Sequence, residues 1–171
     1  MITPRYCVTM ARYNAWQNRQ VKAAFEALSP EDLTRDRGAF FGSILATANH
    51  LLWGDRIWLS RFTGGEPPVG SIAESVGLTT SREDWALERF RVDSALLRWA
   101  DGLKQVDLAG PLRWQSGVTG REMVKPVGLC VTHMFNHQTH HRGQIHAMLT
   151  AAGAEAPVSD LFVLPDEGPW L

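Results

Sequence analysis

Val131-Thr132-His133-Met134-Phe135-Asn136-His137-Gln138-Thr139-His140-His141-Arg142-Gly143-Gln144 carries two imidazoles, His137 and His141, four residues apart. Residues at that spacing lie one above the other on a single face of an α-helix, close enough for both rings to reach one ion. Five of the chain's six histidines fall between positions 133 and 146, and neutral imidazole is a favoured metal donor near neutral pH. At about 100° per residue, Cys130, Met134, His137, His141, Gln144, Ile145 and Met148 share one direction. His133 and His140 stand at the edge of that stripe and His146 points to the opposite side. A ligand pair on the inward face of a helix is how facing helices of a bundle build a core site.

Working outward, the helix carrying this run starts after Pro126 and reaches Gly153. The residues before it, from Gly110-Pro111 to Lys125-Pro126, lose the helical period, and 112–115 and 121–124 flank Ser116-Gly117-Val118-Thr119-Gly120 as a small hairpin or ordered loop. A first helix opens at Thr3-Pro4 and runs to about Leu28, with Tyr6, Met10, Tyr13, Val21, Phe25 and Leu28 near one stripe. Ser29-Pro30-Glu31-Asp32 ends it and starts one further turn. A second long helix spans about Gly42 to Phe62 and closes on Gly64-Gly65, which suit a left-handed C-terminal cap. Gly, Pro and Ser then fill a long connection to about residue 78. Thr80 with Glu83 reads as a capping box opening a third helix, with Trp85, Val92, Leu96 and Trp99 at helical steps and an end near Gly102. The pattern predicts an all-α, four-helix bundle with two long connections, one domain over 1–171, and an irregular tail over 154–171.

A length of 171 residues is enough to bury a core without disulfides or a structural metal, so an ion bound here is expected to serve function rather than hold the fold. A formal net charge of −1 with no basic face argues against nucleic acid. Cys7 and Cys130 match no Cys-x-x-Cys pattern and read as buried reduced thiols. The most hydrophobic segment, 44 to 62, is broken by Asp55, Arg56 and Arg61, and no signal peptide or membrane span is evident, which leads to the expectation of a cytoplasmic protein.

His50, on the second long helix, shares a face with Ser43, Ala46, Gly54 and Ile57, small residues that let another helix come close. It is in reach to serve as a third ligand, leaving an open coordination position. On residues alone both readings stand: a lone histidine on an apolar face is more often a hydrogen-bonded core residue, and a buried pair needs partners for both rings in either case. Gln138 follows His137 where a His-Glu-x-x-His motif has glutamate, which excludes that protease mechanism. Leu45, Leu52 and Leu59 make the opposite face of the same helix apolar as well, which calls for a second cover such as a homodimer contact.

His137-Gln138-Thr139-His140-His141-Arg142-Gly143-Gln144, together with His50-Leu51-Leu52-Trp53-Gly54-Asp55 and Tyr13-Asn14-Ala15-Trp16, resembles the DinB/YfiT-like family of damage-inducible bacterial proteins over essentially the whole chain. The resemblance implies a four-helix bundle with right-handed up-down-down-up connectivity, a dimer, and one divalent ion on His50, His137 and His141. It implies a thiol-dependent transferase using a low-molecular-weight thiol and an electrophilic substrate, with a metal-dependent hydrolase or a non-catalytic metal-binding stress protein as alternatives. Zinc, nickel, iron and copper all suit three imidazoles. Trp53, Met134 and Gln144 are the pocket candidates; Gln144 either orients a ligand or makes a buried bond to another helix. No residue is nominated as general acid or base.

Overall fold

The computed structural model describes residues 2–117 and 119–171. Four long helices carry it: α1 (Pro4–Glu26), α3 (Ile44–Thr63), α4 (Arg82–Gly102) and α5 (Val127–Ala151), with a five-residue α2 (Pro30–Thr34) after the first. Each of the first four helices starts on a hydroxyl cap. Thr3, Ser29, Ser43 and Ser81 accept from the backbone N–H three residues on, satisfying one of the donors a helix start leaves free. The expected cap at Thr80 is therefore displaced by one residue to Ser81, which accepts from Asp84 N. Gly64 closes α3 at φ 71°, the left-handed conformation that glycine adopts without a Cβ penalty.

The hairpin forms as strands β1 (Pro111–Gln115) and β2 (Glu122–Pro126), antiparallel, with Trp114 opposite Met123. Val118, part of the expected turn sequence, lies outside the described residues. β2 runs straight into α5, whose first N–H, at Val127, donates back to Gly110 O at 3.0 Å. The tail lies along α1: Tyr13 Oη donates to Ser159 O at 2.6 Å, and Arg12 covers Trp170.

Side-chain contacts give the helix directions. Phe25 at the end of α1 packs on Trp85 at the start of α4, so these two are antiparallel. Asp55 and Phe62 of α3 meet Arg89 and Trp99 of α4 in the same order, so this pair is parallel. His50 and Trp58 of α3 meet His141 and His133 of α5 in reverse order, and Tyr6 and Asn14 of α1 meet Phe135 and Arg142 of α5 in the same order. The result is up-down-down-up, in which parallel α3 and α4 need a connection running back the length of the bundle. Residues 64–81 supply it, with a single 3-10 turn at Ser75–Gly77. Among the described residues no helix is long and apolar enough to cross a membrane.

Both faces of α3 are covered inside the chain, since Leu45 and Leu52 are buried in the core and Leu59 packs against it, while the His50 face meets α5. The two-sided apolarity of this helix is thus accounted for without a second copy. The middle of the bundle is polar. Arg89 pairs with Asp55 at 2.7 Å and Asp93 at 2.9 Å; Asn14 and Asn18 donate to Asp93 at 2.8 and 3.1 Å; Gln138 donates to Asp55 at 2.9 Å; Arg142 donates to Asn14. All seven are buried and they come from all four long helices. Burial alone would lower the Arg89 pKa, but the carboxylates of Asp93 and Asp55 outweigh it and raise it. Removing one partner of a buried pair strands the other charge, at a cost of about 3–5 kcal/mol. Asp93→Ala, which leaves Arg89 with Asp55 alone and strips two buried amides of their acceptor, is expected to destabilise the fold by about that amount in urea denaturation, and Leu87→Ala on the exposed face of α4 by well under ~1 kcal/mol.

Candidate metal centre

α3 and α5 cross as an antiparallel ladder with a rung every four residues. His50 stands against His141 with ring centroids 4.8 Å apart, Gly54 against His137, and Trp58 against His133 at 5.1 Å. The middle rung decides the spacing. A Cβ at Gly54 would lie 2.7 Å from His137 Cε1, closer than real contacts allow, so only glycine lets the two backbones approach with the imidazole between them. His50, His137 and His141 then offer ring nitrogens that all lie within 4.8 Å of one another, with His50 Nε2 and His137 Nε2 3.3 Å apart.

The partners of the outer nitrogens fix two of the tautomers. Ser75 Oγ–H donates to the Ile72 carbonyl at 2.5 Å, so its oxygen accepts at 2.9 Å from His50 Nδ1–H. Gln144 Oε1 accepts from His141 Nδ1–H at 2.7 Å, while its amide donates to His140 Nε2 at 3.3 Å. A proton on Nδ1 leaves the Nε2 lone pair free, and in both residues that lone pair points into the cluster. His137 Nδ1 is buried without a partner. The free lone pairs directed at one point are met either by a proton on His137 Nε2, which then donates to His50 Nε2 at 3.3 Å, or by a cation between the rings, and this donor set fits a divalent ion with three nitrogens and at least one position open to a further ligand. Among the described residues no Cys, Asp or Glu joins the group.

The walls come from segments between the helices. The turn at 37–42, closed by Gly42 N donating to Ala39 O at 2.8 Å and made possible by φ 77° at Gly42, sets Phe41 flat on His50 with ring centroids 4.0 Å apart. Trp53 stands 6.3 Å from His50 and donates to Val69 O, tying down the crossover loop. Gln144 orients His141 from within α5 rather than bonding to another helix. Met134 is wholly buried in the core, and His146 lies away from the cluster beside Tyr13 and Arg142. The buried face of α5 is turned from the expected stripe: Gln138 and Arg142 lie in the core, while His137 is half-buried. The partners to which Gln138 and Arg142 donate, Asp55 and Asn14, are remote in sequence. Ser75 and Phe41 carried no signal of their own, the one within a Gly/Pro/Ser-rich connection and the other beside a helix cap.

A four-helix bundle with a three-histidine cluster on the inner faces of two antiparallel helices is the class that this geometry defines. A sequence model of the DinB family matches residues 1–168, and the chain belongs to that family. Protein DinB of Bacillus subtilis is 28% identical over 160 residues, covering 89% of this chain and 90% of the relative. The crystal structure of a DinB-like protein from Bacillus cereus superposes with a TM-score of 0.61 at 21% identity, over 84% of this chain and 90% of that one.

Two predictions follow from this geometry. Gly54→Ala should displace His137, and Ser75→Ala should free the His50 ring; each is expected to weaken divalent-ion affinity by about 10–100-fold in competition with a chelating dye, with the helical spectrum unchanged. Burial, aided by His141, pushes the His50 pKa down to about 4, and burial with His141 and His50 pushes that of His137 to about 3. His141 is lowered as well, mainly by burial. Unfolded, these rings take up protons near the ordinary 6.5, so between that value and about 4 the unfolded chain binds more protons. Stability of the metal-free protein should therefore be full above pH 6.5 and decline as pH falls toward 4, and His137→Ala should flatten that decline in thermal melts.

Proposed function

We propose that His50, His137 and His141 hold one divalent metal ion through Nε2 and that the protein is a metal-dependent enzyme of thiol-transferase type. The observation that carries the metal is the pair of hydrogen bonds from His50 to Ser75 and from His141 to Gln144, which aim two free lone pairs at one point beside His137. The thiol rests on the likeness to the DinB/YfiT-like family. A divalent ion at this site lowers the pKa of a bound thiol or water and so supplies a nucleophile at neutral pH.

The chain's own residues do the rest. Ser75 and Gln144 keep both rings in the ligating tautomer. Phe41 and Trp53 exclude water on the His50 side, which strengthens electrostatic interactions there. Cys130 lies seven residues before His137, about 10 Å along the helix, so the thiol is supplied from outside. The same open position serves hydrolysis if water takes the thiol's place.

In the test, cobalt-substituted protein is titrated with a small thiol. A new sulfur-to-metal charge-transfer band is expected, and it should be lost with the bound metal in His50→Ala, His137→Ala and His141→Ala but kept in His146→Ala. Stoichiometric metal retained by His137→Ala would refute the ligand set. Cobalt that binds with no spectral response to saturating thiol would leave the hydrolytic or non-catalytic reading. Helical circular dichroism should survive chelation, because the core is built without the ion.

A further inference from the structure

The histidine ladder continues beyond the proposed ligands. One turn past His137, His133 packs against Trp58, and Trp58 meets Trp114 of the hairpin edge to face at 5.6 Å. Over both indoles lies the Arg61 guanidinium, 4.6 Å from the Trp58 ring centre and 5.2 Å from that of Trp114. Arg61 is half-buried. Of the other arginines taken out of water, Arg89 is answered by Asp55 and Asp93, Arg56 by Glu88, Arg37 by Asp32, Arg82 by Glu83 and Arg142 by Asn14, while Arg12, against Trp170, has no carboxylate within ion-pair distance among the described residues. Among the described residues Arg61 has no carboxylate within ion-pair distance. Lys125, at the end of β2, likewise has none; burial pushes the Cys130 thiol up, and these two cations partly oppose that rise.

A guanidinium stacked on aromatic faces still presents its N–H groups outward in its own plane, in the fork that matches a carboxylate. Stacking fixes that fork in advance, so little freedom is lost on binding. The hairpin therefore has a role the bundle alone cannot supply, because Trp114 completes the clamp.

We infer that Arg61, held against Trp58 and Trp114, binds a carboxylate on a small molecule whose other end reaches the three-histidine centre. This rests on the proposed metal site. Arg61 follows Gly54 by seven residues on α3, so the two ends of such a ligand are separated by about 10 Å. The carboxylate belongs either to the thiol or to the electrophile.

Cobalt-loaded protein separates these. In one arm, mercaptopropionate, mercaptooctanoate and mercaptoundecanoate are compared with the mercapto-alcohols of equal length by the cobalt band. In the other, octanoate and octanol are titrated, by tryptophan fluorescence, into protein whose metal already carries mercaptoethanol. The acid is expected to bind about tenfold or more tighter than the alcohol at the length that spans the gap. The advantage should shrink with added salt and disappear in Arg61→Gln, and Arg61→Lys should keep part of it. Preference in the first arm assigns the carboxylate to the thiol, and preference in the second assigns it to the electrophile. Equal binding of acid and alcohol in both arms overturns the subsite, as does a preference that survives in folded Arg61→Gln. If that variant does not fold, the acid-to-alcohol ratio and its salt dependence in the unaltered protein still decide. A cobalt band that responds to no thiol strikes the thiol reading of the metal site instead, and the octanoate arm, run without mercaptoethanol, then judges Arg61 alone.

Discussion

The buried ion pair between Asp55 and Arg89 is the constraint around which the bundle is arranged. Two full charges leave water at this point, and each carries a desolvation cost of several kcal/mol that only good geometry and complete hydrogen bonding offset. Asp55 therefore needs Arg89 on one oxygen and Gln138 on the other, while Arg89 needs Asp93, which in turn takes Asn14 and Asn18. An apolar core tolerates helices sliding by a fraction of a turn. This network does not, because any shift strands a charge, so it selects one register for α1, α3, α4 and α5 together.

That register builds the histidine cluster as a consequence. Gly54 precedes Asp55, and successive helical residues point about 100° apart. With Asp55 turned to Arg89 and Gln138, Gly54 is turned to His137. The ladder of His50 with His141, Gly54 with His137 and Trp58 with His133 then follows at four-residue steps on both helices. Preorganisation comes from outside the two helices as well: Ser75 reaches His50 from the long crossover that parallel α3 and α4 oblige the chain to make, and Phe41 reaches it from the turn before α3. The connections that the topology requires are thus the walls of the site.

A chemical division runs along the ladder. Around His50 the surroundings are aromatic, and the imidazoles are held neutral. Past His133 the surface turns cationic and indole-rich, with Arg61 and Lys125 near the hairpin. A site with neutral nitrogens at one end and a fixed cation at the other suits a ligand that is a soft donor at one end and an anion at the other. Affinity for the second end can be spent on placing the first.

The helices were legible in the amino-acid order because their signals are local: Thr3-Pro4, Gly64, the stop at Gly102 and the apolar periods each act within a few residues. The i,i+4 histidine pair was legible for the same reason, and the small residues beside His50 announced that a helix would come close there. The family likeness supplied His50 as the partner of that pair, and the structure brings the three rings together. What tertiary structure decided was everything satisfied by a partner remote in sequence. Nothing in the order of residues names Asp55 as the partner of Gln138 or Asn14 as that of Arg142; Ser75 had no pattern at all; the bare Cα of Gly54 matters only because His137 fills the space its side chain would need. Periodicity records which side of a helix avoids water, whereas a buried polar group or a tautomer is defined by what stands opposite, and that exists only once the helices have met.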